Sequence, residues 1–303
     1  MPGYNPPSPQ GFPSGQRGRA VNPLAQPSEV RILLPALQIT SLGFRTDLTV
    51  LALGGSEIQH GERHVVVRTP ANPTFWWGNF VLFADPVGPG EIPGRLALFA
   101  DAFPGAEHVA WGIDSVDGTI GAEAELVDEG FELSRDTVLA TTSLRPPSRG
   151  VDAELRPLVG DEDWGQALEL RIACLPDDEH YTEPFVRAHL AGSRALCEQG
   201  SATWFGAFER GTLRAALGIV ADGDGLARFQ MVETHPGSRR RGLASSLVHR
   251  AGSSALEAGA ETLVIVADPT YHAIGLYRAL GFADRETKVE LTRRPPADRQ
   301  TDA

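Results

Sequence analysis

Thr234-His-Pro-Gly-Ser-Arg239-Arg-Arg-Gly242-Leu-Ala244-Ser-Ser246 is the stretch that decides how the chain folds. The run before it, residues 226–234, has the apolar and β-branched pattern of a strand, and Pro236-Gly237 ends that strand. After the stretch, apolar residues recur at helical spacing as far as Gly259. The sequence therefore predicts a strand-to-helix turn that carries three arginines and a glycine.

This turn has the features of a phosphate-binding site. The first N–H groups of a helix have no partner inside the helix and lie at the positive end of its dipole. Gly242 and Ala244 let phosphates approach the backbone. Arg239, Arg240 and Arg241 add positive charge nearby. The alternative is a solvated basic turn that caps a surface helix, and the loop alone favours that alternative.

Two short motifs follow one another in this part of the chain. The first is Arg239-Arg-Arg-Gly242-Leu-Ala244, with a proline three residues before its first arginine, and the second is Leu276-Tyr277-Arg-Ala-Leu-Gly281-Phe282. They resemble the Arg/Gln-x-x-Gly-x-Gly/Ala loop and the Leu-Tyr-x-x-x-Gly-Phe signature of the GNAT superfamily of N-acetyltransferases. One helix and one buried strand, 262–267, fit between them. The resemblance covers roughly residues 150–295.

The resemblance implies an α/β fold of the α+β type, with a mixed, mostly antiparallel central sheet flanked by helices. From Val151 onward the predicted order is strand, helix, helix, three antiparallel strands, helix, strand, helix and strand, which is the order of the GNAT fold. Arg210-Gly211 and 222–225 are hairpin signals between the three antiparallel strands. We expect residues 151–295 to form an N-acetyltransferase domain and residues 296–303 to form a disordered tail.

The chain before Val151 differs in composition. Residues 1–29 are rich in Pro, Gly and Ser, which predicts a disordered tail. Residues 145–150 are polar and contain consecutive prolines, which predicts a linker and thus a two-domain tandem arrangement. Between the two, the predicted strands are 48–53, 63–68, 78–83, 109–113 and 137–141, and the predicted helices are 96–103 and 122–129.

A short internal repeat relates the two parts. Ala124-Glu-Leu-Val-Asp-Glu-Gly130-Phe131 has the same pattern as 275–282: a short helix, a glycine and a buried aromatic residue. We hypothesise that residues 30–145 form a degenerate GNAT-like domain without an arginine loop, in which Leu126 takes the place of Tyr277. Such a domain would cover one edge of the catalytic sheet or form a wall of the acceptor pocket.

One aromatic group stands out in this first part. Trp76, Trp77, Asn79 and Phe80 could line a pocket, because ring faces and an amide can orient a ligand. Packing in a core or at a domain interface is the more frequent use of such residues.

The resemblance implies acetyl-CoA as co-substrate and direct transfer of an acetyl group to an amine. Backbone amides of the loop would hold the pyrophosphate, and main-chain groups of the preceding strand would align the pantetheine arm. Thr270 stands where many family members have an asparagine. The implied cofactor-binding residues are Val232, Glu233, Thr234, Arg239, Arg240, Arg241, Gly242, Leu243, Ala244, Ser245 and Thr270.

The resemblance also implies two catalytic residues. Tyr277 would protonate the thiolate of departing CoA, because a phenol is neutral at pH 7. The alternative is that Tyr277 only packs with Ile274 and Leu280 on one helix face. Glu233 is the leading candidate for the base, and a water relay would need no fixed residue. The other candidate bases are Asp268, His235 and His272.

Length and composition limit the number of domains, the class of partner and the cellular compartment. With 303 residues the chain can bury two cores, and a net charge of -12 argues against nucleic acid as a partner. Cys174 and Cys197 are the only cysteines, which predicts unpaired thiols in a reducing compartment. No apolar run is long enough for a membrane span or a secretory signal, so we expect a cytoplasmic protein and no membrane partner.

The expected partner is a primary amine of a small molecule or peptide, and no metal ion is expected. The sequence is compatible with both a monomer and a homodimer. The alternative from another class is a non-catalytic acyl-CoA-binding sensor or scaffold, in which the loop binds but no base exists.

Overall fold

Strands of both parts of the chain form a single sheet with helices on both faces. The computed structural model describes residues 37–175 and 182–294, so the predicted tails, 1–29 and 296–303, lie outside the described residues. No helix within these ranges is long and apolar enough to cross a membrane. The strands are β1 (Glu57–His60), β2 (His64–Arg68), β3 (Phe80–Phe83), β4 (Val109–Ile113), β5 (Glu132–Thr141), β6 (Glu154–Pro157), β7 (Ala202–Glu209), β8 (Thr212–Ala221), β9 (Leu226–Thr234), β10 (Thr262–Ala267) and β11 (Ala283–Arg293). The helices are α1 (Leu42–Leu53), α2 (Ile92–Ala102), α3 (Glu123–Asp128), α4 (Gly160–Cys174), α5 (Glu183–Glu198), α6 (Leu243–Glu257) and α7 (Ala273–Ala279).

The sheet is mixed and mostly antiparallel. Its order is β1-β2-β3-β4-β11-β5-β10-β9-β8-β7-β6. Only two neighbouring pairs in the described sheet are parallel, β3 with β4 and β9 with β10. The structure therefore confirms the predicted fold class, and β6 to β11 follow the predicted order of elements.

The last strand of each half lies in the other half of the sheet. β5 ends the N-terminal half but pairs with β10, from Thr141 opposite Leu263 to Thr137 opposite Ala267. β11 ends the C-terminal half but pairs with β4, and β5 and β11 pair with each other at the centre. The two halves thus share one continuous sheet, and the predicted linker at 145–150 connects β5 to β6.

The internal repeat has the same local structure in both halves. A glycine with a left-handed φ follows each short helix, at 82° for Gly130 and 103° for Gly281. The amide of the next residue, a buried phenylalanine, donates to the carbonyl of Leu126 at 2.9 Å in one half and of Tyr277 at 3.1 Å in the other. Both helices therefore end in the same way, and Leu126 and Tyr277 occupy equivalent positions.

The predicted strand at residues 48–53 is wrong, because these residues form the second half of α1. Ser41 caps this helix, and its Oγ accepts from the amide of Phe44 at 3.3 Å. The carboxylate of Glu286 on β11 accepts from the amide of Leu42 at 2.9 Å. A distant residue thus satisfies the start of α1, and this stabilisation outweighs the strand preference of the β-branched Thr49-Val50 pair.

Alternating residues of the sheet divide the helices between its two faces. On β5, Leu133 packs with the core of α2 and α3, and Leu139 packs with the core of α6 and α7. Val138 points the other way and packs with Leu42 of α1. α4 and α5 pack with Ala216 of β8, on the same side as α1. The second face therefore carries α1, α4 and α5.

A buried charged network under α1 joins the two halves. The Asp47 carboxylate of α1 pairs with Arg228 of β9 at 3.0 Å and with Lys288 of β11 at 2.6 Å. Lys288 also pairs with Glu290. Burial by itself raises the pKa of Asp47, but the two cations outweigh burial and hold that pKa below its usual value. We therefore expect the two halves to unfold together.

Candidate functional site

Parallel strands β9 and β10 separate before they end. In the described residues they pair at three positions, of which the last is Val264 opposite Arg228. β9 continues to Thr234 beside β8, and β10 continues to Ala267 beside β5. The final residues of β9 therefore present a main-chain edge to an opening in the sheet.

A bulge at Met231 accompanies this separation. The φ of Met231 is 49°, in the left-handed region that residues other than glycine rarely occupy. The register with β8 shifts at the same point, from Gly218 opposite Gln230 to Ala216 opposite Glu233. Because a bulge bends its strand and increases the local twist, it turns the end of β9 away from β10.

The arginine loop lies at the open end of β9. A 3₁₀ turn, Pro236–Ser238, leads from the strand toward Gly242, which is the N-cap of α6 and has a φ of 89°. Glycine adopts this left-handed conformation without the strain that a side chain would cause. The first amides of α6 have no acceptor inside the helix. The loop therefore places N–H donors that have no partner inside the helix beside the opening between the strands.

The three arginines of the loop take different positions. Arg239 and Arg240 line the cleft between the strands, and the Nε of Arg239 donates to the carbonyl of Thr234 at 3.2 Å. Arg241 instead pairs with Glu209 of β7 at 2.7 Å and lines a separate surface groove. Two of the three predicted side chains thus bring positive charge to the cleft.

The cleft has a volume of about 280 Å³. Thr270 is not among the described residues that line it, because its hydroxyl and amide both bind the Asp268 carboxylate in an exposed turn, at 2.6 and 2.7 Å. The predicted site residues that the cleft brings together are Val232, Glu233, Thr234, Arg239, Arg240, Gly242, Leu243, Ala244, Ser245 and Tyr277. All predicted site residues except Arg241 and Thr270 therefore meet at one place.

Tyr277 reaches the cleft from α7 with a nearly buried side chain, 6% exposed. Its ring packs edge-on against Phe282, with the ring centres 6.3 Å apart. Burial, with a small contribution from Tyr271, raises the pKa of Tyr277 to about 12. The phenol thus packs in the core and keeps its proton at neutral pH.

Glu233 has an ion-pair partner that no motif in the sequence predicts. Arg171, in the last turn of α4, pairs with the Glu233 carboxylate. Burial raises the pKa of Glu233 above its usual value, although Arg171 opposes the rise. His189 of α5 has a pKa lowered to about 4, mainly by burial and further by the charge of Arg171. The cleft thus has a partly buried carboxylate, 11% exposed, whose proton affinity is above normal.

The other predicted bases have different surroundings. His272 lines the cleft. His235 caps the 3₁₀ turn, where its Nδ1 accepts from the amide of Gly237 at 3.2 Å. Hydrogen bonds from Thr270 lower the pKa of Asp268, which makes this carboxylate a weaker base. Of these three residues, only His272 lies at the cleft.

The aromatic group near residue 76 packs against residues of both halves. Trp76 stacks on His108 with ring centres 5.1 Å apart, and Trp77 packs against Phe80 at 5.5 Å. Asn79 is buried, and its side-chain amide donates to the carbonyl of Phe75 at 2.8 Å. Packing is thus the role that the structure gives these residues. From the other half, Lys288 lies over the ring of Trp77 and Arg294 over that of Trp76. Phe75 contacts His189 of α5.

Comparison with known proteins identifies the family of the C-terminal half. The Acetyltransferase (GNAT) family model matches residues 164–282. A search of curated proteins found no match.

Solved structures with a similar fold cover most of the chain. A functionally unknown conserved protein from Staphylococcus epidermidis is 12% identical, with a TM-score of 0.62 over 78% of this chain and 93% of that chain. A GCN5-related N-acetyltransferase from Kribbella flavida is 19% identical, with a TM-score of 0.61 over 85% and 97% of the two chains. A GCN5-related N-acetyltransferase from Sphaerobacter thermophilus is 17% identical, with a TM-score of 0.53 over 79% and 84%. At these identities the likeness concerns the fold. The family match itself shows a GNAT acetyltransferase domain at residues 164–282, the part of the chain that contains the cleft.

Proposed function

We propose that the protein transfers an acetyl group from acetyl-CoA directly to the primary amine of a small molecule or peptide. The separation of β9 from β10 next to the arginine loop carries this proposal. An extended thioester carrier needs an unpaired strand edge for its arm and amide donors for its phosphates, and here the two lie side by side.

The residues of the cleft fit such a carrier. Gly242 holds the left-handed conformation that starts α6, and Leu243, Ala244 and Ser245 place their amides in the first turn of that helix. Arg239 and Arg240 add charge at the same end. The amides would hold the two phosphates, and the main chain of 232–234 would hold the amide groups of the arm. When bound, acetyl-CoA supplies the activated acetyl group.

Two side chains would move protons. Tyr277 holds its proton at neutral pH and would donate it to the thiolate that leaves. Glu233 would accept the proton of the attacking amine, directly or through a water molecule, since burial raises its pKa and Arg171 fixes its position. Amide donors of β9 at the reacting carbonyl would stabilise the charge that develops there.

The proposal also covers the division into domains and the cellular compartment. Residues 30–145 would be a degenerate GNAT-like domain without a cofactor site, and residues 151–295 would be the transferase domain. The unpaired thiols of Cys174 and Cys197 favour a cytoplasmic enzyme.

Calorimetric titration with acetyl-CoA, paired with a thiol-release assay on a panel of amines, tests the proposal. We expect one binding site per chain and release of CoA that depends on an amine. Binding without release for every amine tested would instead support the acyl-CoA-binding sensor or scaffold.

A further inference from the structure

A groove between α1 and α5 lies beside the cleft, on the face of the sheet that carries α4. Its volume is about 140 Å³. Leu51 at the end of α1 and Phe75 line it from the N-terminal half, and Leu196 of α5 and Trp204 of β7 line it from the C-terminal half. The groove is therefore complete only when both halves are present.

The groove and the cleft meet along β9. Gln230 and Met231 line the groove, and the next three residues, 232–234, line the cleft. Neighbouring residues of a strand are about 3.3 Å apart, so a molecule in the groove lies one or two residue lengths from the reacting end of the cleft. The bulge at Met231 marks the junction between them.

The groove is an apolar site with a few neutral polar groups. No Asp, Glu, Lys or Arg among the described residues lines it. His189 lines it too, and Phe75 packs edge-on against that imidazole with ring centres 5.1 Å apart. The lowered pKa of His189, about 4, keeps the ring neutral at physiological pH. The described lining therefore provides no counter-ion for a polycation.

Its polar side chains are few and largely paired with the protein. The hydroxyls of Ser56 and Thr69 bond to each other at 2.8 Å, and Ser193 donates to the carbonyl of His189 at 3.1 Å. Asn72 and Gln230 add side-chain amides to the lining, with both donor and acceptor groups. An apolar pocket with a few neutral polar groups favours an apolar ligand held in one orientation.

We propose that this groove binds the acceptor, and that the acceptor is a primary amine with a single aromatic ring or a branched aliphatic group on a short spacer. The proposal rests on the acetyltransferase function proposed above. A cavity of about 150 Å³ is known to accommodate benzene, so the groove suits one ring better than a fused or extended structure. The short spacer follows from the one or two strand residues that separate the groove from the cleft.

Gly192 of α5 offers a way to fill the groove without disturbing the fold. It lines the groove, and a Cβ at this position would meet nothing within 4 Å. Leucine has a higher helix propensity than glycine, so Gly192→Leu should fold at least as well as the natural protein. Gly165 of α4 is also exposed with free space around its Cβ and does not line the groove, so Gly165→Leu is the matched control.

The experiment measures amine binding to the full chain saturated with CoA, and acetyl transfer to the same amines. We expect 2-phenylethylamine to bind at least about tenfold more tightly than spermidine, and Gly192→Leu to weaken that binding at least about tenfold. Gly165→Leu should change neither value, and both variants should keep the acetyl-CoA affinity.

The outcomes separate the two proposals. Spermidine that binds as tightly as 2-phenylethylamine, or binding of 2-phenylethylamine that Gly192→Leu does not weaken, would overturn the groove assignment. If Gly192→Leu and Gly165→Leu acetylate 2-phenylethylamine equally well, the groove assignment would be overturned too, while acetyl transfer would be supported. Binding that Gly192→Leu removes, without release of CoA, would support the ligand class and contradict acetyl transfer.

Discussion

The loop from β9 to α6 and the loop from β3 to α2 occupy equivalent places in the two halves, but only the first suits a phosphate. The first contains three arginines and starts its helix at Gly242. The second, residues 84–91, contains two carboxylates and no arginine. Its Glu91 accepts from the amide of Gly88 at 3.0 Å, at the start of α2. A carboxylate thus occupies the helix start that an anionic ligand would need.

The strands that precede these loops also differ, because β9 separates from β10 whereas β3 stays paired with β4. β3 and β4 stay paired to the end of β3, where Phe83 lies opposite Ile113, and the amide of Asp114 donates to the carbonyl of Phe83 at 2.8 Å. Val87 of the loop then bonds to the main chain of Ile120 at 2.7 Å. At this place, the described part of the N-terminal half, residues 37–145, therefore has neither a strand opening nor a cationic loop, and we expect the proposed carrier site to need both.

The largest expected effect comes from Gly242, the glycine at the start of α6. Gly242→Leu should weaken acetyl-CoA binding about a thousandfold, or ~4 kcal/mol, because a side chain at this left-handed position displaces the loop and blocks its amides. Gly90→Leu is the matched control, since Gly90 has a φ of 73°, precedes α2 and has open space around its Cβ. Calorimetry should show wild-type affinity for that control. Equal losses in both variants would mean that the effect is general strain.

The next largest effect should come from the buried charged network under α1, which joins the two halves. Asp47→Asn leaves Arg228 and Lys288 buried without their shared carboxylate, and we expect a loss of ~3 kcal/mol in the free energy of unfolding. The pKa of Asp47 is lowered in the folded protein, so its stabilising contribution is present above the unfolded pKa and is lost as the pH falls through the folded one. Urea unfolding measures the loss, with exposed Asp101→Asn as the control. Two separate transitions in the natural protein would contradict a shared core.

The half with the proposed cofactor site has a phenol, Tyr277, where the other half has Leu126, and a third prediction tests that phenol. Tyr277→Phe should lower kcat about fiftyfold, or ~2.3 kcal/mol, and leave the dissociation constant of acetyl-CoA within about twofold, since it removes a proton donor and keeps the packing. Steady-state kinetics and calorimetry measure the two values. Tyr271→Phe is the control, because this exposed phenol also lines the cleft. If the Tyr271 variant is the slower one, the acid is assigned to the wrong residue.

The smallest expected effect is a shift in pH dependence. Arg171 lowers the pKa of Glu233, so Arg171→Met should raise that pKa further. Because the base must be ionised to accept a proton, the acid limb of the kcat/KM profile should move up by about one pH unit. A profile that does not move would remove Glu233 as the base. Glu233→Gln should abolish the limb.

The sequence predicted the C-terminal half well because its signals are local. Arg210-Gly211 marks a hairpin, and the arginine loop marks a helix start, each within a few residues. In the N-terminal half, the helix at 42–53 depends on Glu286, which lies far away in the sequence. The exchange of β5 and β11 between the halves likewise depends on which strands pair, and strand pairing has no local signal.

The candidate site was predictable to the same extent. Six motif positions, 239, 240 and 242–245, meet Tyr277 in the cleft, since each follows from a short pattern. Arg241 pairs with Glu209 outside it. Thr270 stands where many family members have an asparagine, but its amide and hydroxyl bind the Asp268 carboxylate instead of lining the cleft. Arg171 and the groove residue Phe75 have no motif of their own, because tertiary packing alone brings them to the site. The tryptophan pair beside Phe75 was the only nearby signal in the sequence.

The most direct test of the account is amide hydrogen exchange of the full chain, with and without acetyl-CoA. The claim is that the carrier binds where β9 leaves β10 and not at the equivalent place in the N-terminal half. We predict slower exchange in residues 232–246 on addition of acetyl-CoA and no change in residues 80–95. Slower exchange in residues 80–95, or none in residues 232–246, would contradict the account.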